Sequence, residues 1–291
     1  MKRYVLIVLI VVIGLPLFAQ VKSGVHTKLE KYYKDEQWED CAFKADRMIL
    51  KEKYRNDAEV YLYLAAAYNK IFLMGLEDST MLMKVPEYAQ AYKLALKYSV
   101  YSKKKDRKAG FYYPANNDML QEIAISGIYY VDHYVEVGKT SKANSYVRKI
   151  MKTYTDINIY FLYGTLSAMT GDNETAKEVF DSVFNTMNSR KQGDVKNTEF
   201  MMLEGFDLYA NYLMTLEEPL LDSAKYLTMK GLQYFPENEI LKWNLQRIDD
   251  RESNIPKPEN VLKSKALKAI AINLTDDDDT DIDDDDDDDD E

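Results

Sequence analysis

Between Leu29 and Arg251, apolar residues recur at steps of three and four, the period of helices that turn one face to a core. The clearest stretch lies mid-chain. Tyr160, Tyr163, Gly164 and Ser167 share one helical face, Gly171-Asp172-Asn173-Glu174 interrupts it, and Ala176, Phe180 and Val183 mark a second helix. Small residues at Gly164 and Ala176 let two antiparallel helices approach closely, with rings filling the space beside them. The same grammar recurs elsewhere. Gly127, Tyr130, Val131 and Tyr134 precede Gly138, then Ala143, Val147 and Ile150. Tyr61, Leu64, Ala65 and Tyr68 precede Ala91, Ala95 and Tyr98. Leu29 and Tyr32 go with Trp38, Cys41, Ala45 and Met48, and Phe206, Tyr209, Ala210 and Leu213 with Ala224, Thr228 and Gly231. Pro236 stops this last pair, and a capping helix follows over Glu239–Ile248.

Small and aromatic residues at these positions resemble the tetratricopeptide repeat (TPR), with its W-x2-L-G-x2-Y, A-x3-F and P positions over a unit of about 34 residues. Ala143 and Ala176 are close to that spacing, whereas Cys41 to Ala91, Ala91 to Ala143 and Ala176 to Ala224 are longer. The longer intervals predict insertions over Ile71–Val85, Ser102–Asn117 and Asn185–Asn197. The expected fold is all-α, a superhelical stack of antiparallel helix pairs in which neighbouring pairs complete one another's cores. The resemblance implies that the first helix of each pair lines a concave groove. Carried through the register, the groove would present Leu62 and Asn69, then Ile125, Ile128 and Asp132, then Asn158, Phe161 and Thr165, and finally Asp207 and Asn211. This face is apolar with scattered acids. It lacks the cations with which the family's chaperone-tail binders hold a C-terminal carboxylate, and it suits a partner peptide with apolar side chains.

The ends of the chain alter this picture. Lys2 and Arg3 precede an apolar run from Tyr4 to Ile13 and then Leu17-Phe18-Ala19, the pattern of a signal peptide cleaved after Ala19. That makes residues 1–19 an address and 20–252 the repeat domain. Export to the periplasm or cell envelope, or outright secretion, is expected, with no stable membrane insertion once the leader is gone. Residues 253–274 form a linker with Pro256 and Pro258 and room for one short helix. Residues 275–291 hold thirteen Asp and one Glu without a base, so self-repulsion predicts a disordered tail.

The formal charge of -11 belongs to that tail, since the rest carries 38 bases against 35 acids. The only basic run is Lys103–Lys108, read as a solvated loop, and no wider basic face is expected, which argues against nucleic acid. The tail's hard oxygen ligands suit weak, diffuse Ca²⁺ binding, since no loop with ordered ligand spacing exists. A lone cysteine, Cys41, at a small-residue helix position reads as core packing. The two histidines, His26 and His133, read as surface or groove residues, and no nucleophile, P-loop or metal motif accompanies them. No cofactor and no catalytic residue is therefore expected. The leading reading is an exported, non-enzymatic protein-binding scaffold, part of a cell-envelope assembly. Its alternatives are a protein whose acidic tail is the working part, binding Ca²⁺ or a basic partner, and a helical enzyme with its site across the groove.

Overall fold

The computed structural model describes residues 25–106, 110, 112–188 and 198–250. The leader, the whole linker and the acidic tail lie outside the described residues. Among those described, the chain is all-α and contains no strand. The helices are α1 (Thr27–Lys34), α2 (Trp38–Ile49), α3 (Ala58–Glu77), α4 (Ala91–Asp106), α5 (Tyr112–Ala115), α6 (Asn117–Ser126) and α7 (Ile128–Glu136). They continue with α8 (Thr140–Thr153), α9 (Ile157–Met169), α10 (Asn173–Asn188), α11 (Glu199–Thr215), α12 (Leu221–Tyr234) and α13 (Glu239–Asp250).

Local chemistry sets the helix ends. Asp57 caps α3, its carboxylate accepting from the amides of Glu59 at 3.2 Å and Val60 at 3.4 Å. Asp156 caps α9 in the same way, accepting from Asn158 N at 2.9 Å and Ile159 N at 3.1 Å. After α7 and α9 the chain turns through Gly138 and Gly171 at φ of +73° and +86°, a region that glycine enters without a Cβ clash. Lys139 N then bonds Tyr134 O at 2.7 Å and Asp172 N bonds Ser167 O at 2.9 Å, which satisfies carbonyls at the helix ends.

The repeat shows in how like helices meet. Consecutive members of a pair run antiparallel, as α9 and α10 do around Gly164. A Cβ at Gly164 would stand 2.6 Å from Val179 Cγ1, so only a hydrogen fits between these helices. Corresponding helices of successive pairs run parallel. Asn158 reaches Thr198 and, seven residues on, Thr165 reaches the carbonyl of Gly205, so α9 lies along α11 in one direction. Tyr92 stacks near Tyr146 at 6.4 Å and, again seven residues on, Ser99 Oγ lies 2.7 Å from Thr153 Oγ1, which sets α4 parallel to α8. The apolar interior falls into a larger cluster from α1 to α9 that also takes in Met201 of α11, and a smaller one from α9 to α13. Tyr163 of α9 packs against both.

Parts of the expected insertions are helix, while residues 107–109, 111 and 189–197 lie outside the described residues. Ile71–Glu77 prolong α3, Ser102–Asp106 finish α4, and Asn185–Asn188 finish α10. Long helices therefore absorb part of the extra length. Short 3₁₀ turns at Ser79–Met83 and Pro86–Gln90 take up part of the remainder. The middle unit also departs from a simple pair, because its first helix is split at Gly127 into α6 and α7.

Candidate interaction surface

The residues expected to line an open groove are mostly inside the protein. Leu62, Phe161 and Thr165 are fully buried, and Asn69, Ile128, Asp132, Asn158 and Asp207 are buried. Only Ile125 and Asn211 are partly exposed. The face assigned to a groove is instead a packing face. Phe161 packs against Phe206 with ring centroids 4.4 Å apart and planes tilted by 37°, and its ring occupies the space that Gly205 leaves by lacking a Cβ. The α3 helix is apolar almost all round and is enclosed between α2, α4 and α6.

The polar members of that set hold helices together. Asp156 Oδ2 accepts from Thr198 Oγ1, and from Tyr154 OH at 3.4 Å, while Asn158 Nδ2 donates to Thr198 Oγ1 at 2.8 Å. This buried network joins α9 to the start of α11. Asp207 Oδ1 accepts from Asn211 Nδ2 at 2.8 Å and from Asn244 Nδ2 at 2.7 Å, and Arg247 donates to Asn211 Oδ1 at 2.7 Å. That second cluster pins α13 to α11. Asn69 Nδ2 reaches Glu122 at 3.4 Å beside the Lys70–Glu122 ion pair, linking α3 to α6.

The candidate chemical groups are likewise occupied by structure. Cys41 is fully buried, its Sγ directed at Leu29 O at 3.8 Å, and burial pushes its thiol up to about 12. His26 is no free surface histidine. Its Nε2 lies 2.6 Å from Asp57 Oδ2 and its ring stands edge-on to Tyr54. Beside it, the buried carboxylate of Glu59 accepts from Val25 N at 3.1 Å and His26 N at 3.3 Å, clipping the entering chain to α3. His133 is half-buried, and its desolvation holds it below the usual imidazole range. A cavity of about 300 Å³ at the start of α3 is lined by Lys53, Asn56, Asp57, Lys105, Asp106 and Tyr112. Its two acids already accept bonds, Asp57 as above and Asp106 from Tyr113 N at 2.9 Å, so charges of both signs leave no single ligand class favoured.

Two surface features remain that the residue pattern did not announce. The first is an aromatic seam between α10 and α11. Phe180 lies 5.4 Å from Tyr209 and 6.2 Å from Phe184, and Tyr209 lies 6.3 Å from Tyr212, all four rings half-buried. The second is a basic face. The α4 helix carries Lys93, Lys97, Lys103, Lys104 and Lys105 against one acid, the buried Asp106. The α8 helix carries Lys142, Arg148, Lys149 and Lys152 and no acid. Because the two helices run parallel in contact, most of these charges lie along one side of the protein, with Lys103 Nζ donating to Lys152 O at 3.2 Å across the join and Lys105 set apart in the lining of the cavity beside Asp57. The expectation of no wider basic face is thereby corrected. Each helix alone reads as an ordinary solvated stripe, and only their packing adds them together.

No protein-family model and no curated protein matches this sequence.

Proposed function

We propose that this protein is an exported, non-catalytic scaffold of the tetratricopeptide type that binds another protein, as part of a cell-envelope assembly. The observation that carries the reading is the parallel stacking of corresponding helices, α9 on α11 and α4 beside α8, which leaves an extended side-chain surface. Support for the family comes from Gly164 and the buried Ala176, small residues at the repeat positions where α9 and α10 approach closely. Since the expected groove residues are interior, the partner surface moves to the aromatic seam of Phe180, Phe184, Tyr209 and Tyr212. Half-buried rings there offer apolar area and hydroxyls to a peptide with apolar side chains. The test is chemical crosslinking in the native cell envelope followed by capture of the protein. Phe184→Ser with Tyr212→Ser should reduce the recovered partner at least about fivefold, which is about 1 kcal/mol of binding, while the helical signal stays unchanged. Equal recovery would move the partner off the seam. Mass of the captured chain reads export in the same experiment, since a chain starting at Gln20 is expected.

A second reading is favoured by the basic face, which gives the acidic tail a complement within its own chain. There the tail is the working part, binding Ca²⁺ weakly or a basic partner.

A further inference from the structure

We infer that the face formed by α4 and α8 is a docking surface for an acidic polypeptide, and that its resident occupant is the Asp-rich tail of the same chain. The inference stands apart from the scaffold reading, because it uses a different surface.

Charge carries the argument first. The two helices bring nine bases and one acid to adjoining turns, and that acid, Asp106, is buried and accepts from Tyr113 N. Seven of the nine basic side chains are exposed, Lys93 and Lys149 being partly covered. The carboxylate that reaches α4 from α2, Asp46, accepts weak bonds from Tyr98 and Tyr68 at 3.5 Å, and desolvation raises its affinity for a proton. Elsewhere the balance is different. The α10 helix has Glu174, Glu178 and Asp181 against Lys177. A tail with fourteen acids and no base is therefore drawn to one side of the protein rather than to its surface at large.

Chain length comes second. Twenty-five residues separate Asp250, the end of α13, from Asp276. Fully extended they span about 85 Å, and as a random coil about 25–30 Å. A body the size of the described one has a radius of gyration of about 17 Å, so α4 and α8 are within reach. Tethering of this kind supplies an effective concentration on the order of millimolar. Individually weak exposed ion pairs then suffice to keep the face occupied at low salt. Screening within about 8–10 Å at physiological ionic strength loosens the contact, and a Debye length of about 3 Å at 1 M removes it.

Nucleic acid, an anion of a different class, is disfavoured as the resident, because the tail is always present and would compete with it for the same bases. A second copy of the chain would supply the same tail from outside.

The test compares full-length protein with a full-length variant in which all thirteen Asp of the tail are changed to Asn, together with Glu291→Gln. The probe is a fluorescent peptide of sixteen aspartates, titrated at low salt. The neutralised-tail variant should bind the probe at least about tenfold more tightly than the natural protein, and 1 M salt should abolish the difference. A third protein, with Lys97→Glu, Lys104→Glu and Arg148→Glu, should lose the tight binding when combined with the neutral tail. If that protein fails to fold, zero-length carbodiimide crosslinking of the natural chain reads the same contact. Tail-to-lysine links confined to α4 and α8 within one chain are expected. Equal probe affinity with natural and neutral tails would overturn the inference. So would links spread evenly over all lysines, or links formed only between two chains. Single-stranded nucleic acid binding that is indifferent to the tail's charge would also count against it.

Discussion

Gly164 and Cys41 show how much a single position is fixed by its neighbours. A Cβ at Gly164 would already press on Val179 at 2.6 Å, and the ring of Phe180 closes the same space at 3.2 Å. Gly164→Leu is expected to destabilise by about 1–3 kcal/mol, the usual range for overpacking. Urea unfolding followed by circular dichroism measures it, and an unchanged midpoint would mean that α9 and α10 do not meet there. Cys41 is fully buried, and its thiol is pushed up to about 12 by burial. The thiolate is the reactive form, so raising the pH to 9 in the native state should not expose it to a thiol reagent. Labelling at pH 8–9 should begin only when denaturant unfolds the protein. Prompt stoichiometric labelling of native protein would show that the site opens.

At the scale of elements, the buried polar groups decide which helices are neighbours. Asp156 caps α9 through two amides and also accepts from Thr198 and Tyr154. Asp156→Ala removes a cap worth about 1 kcal/mol and strands buried hydroxyls at about 1–3 kcal/mol. A total loss of about 2–4 kcal/mol is expected in thermal or chemical unfolding. Asp78, exposed and bonded locally to Thr80, supplies the contrast, and Asp78→Ala should cost well under half as much. The packing face of α9 makes a sharper distinction. Phe161→Glu puts a charge into a fully buried ring site between α9, α10 and α11. It should remove more than the 3–5 kcal/mol typical of Phe→Ala, seen as loss of helical signal at moderate temperature. If Phe161→Glu folds normally and only a binding activity changes, the side chain faces an open groove after all.

For the whole molecule, the basic face and the acidic tail divide the charge into two opposed parts. Deleting everything after Leu274 takes away fourteen acids and turns the net formal charge from -11 to +3. Contacts of this kind are exposed and screened, each worth at most about 1 kcal/mol. The truncated chain should therefore melt within about 2 °C of the full-length protein in 0.15 M salt, a shift of under about 1 kcal/mol for a body of this size. It should also gain affinity for acidic surfaces. A fall of 10 °C or more would make the tail part of the folded body.

What the sequence determined by itself is what local chemistry decides. Helical period, the close contact at Gly164, the breaks at Gly138 and Gly171 and the capping helix after Pro236 were all legible, because backbone sterics and side-chain volume act within a turn or two. Interval length misled, since an extra turn on α3 and an inserted loop look alike when apolar residues continue through Ile71 and Phe72. Which face of a first helix is interior could not be read from α9, whose residues are apolar or small on every side. Only the arrival of α11, with Gly205 and Phe206 against Phe161, settled that Asn158, Phe161 and Thr165 are a packing face. The basic surface is of the same kind. Lys97 and Arg148 lie fifty-one residues apart, and their charges add because α4 and α8 run parallel, a relation fixed by the pairing of Tyr92 with Tyr146 and Ser99 with Thr153. Turns and caps answer to their neighbours in the chain, whereas interior faces and shared charge answer to neighbours in space.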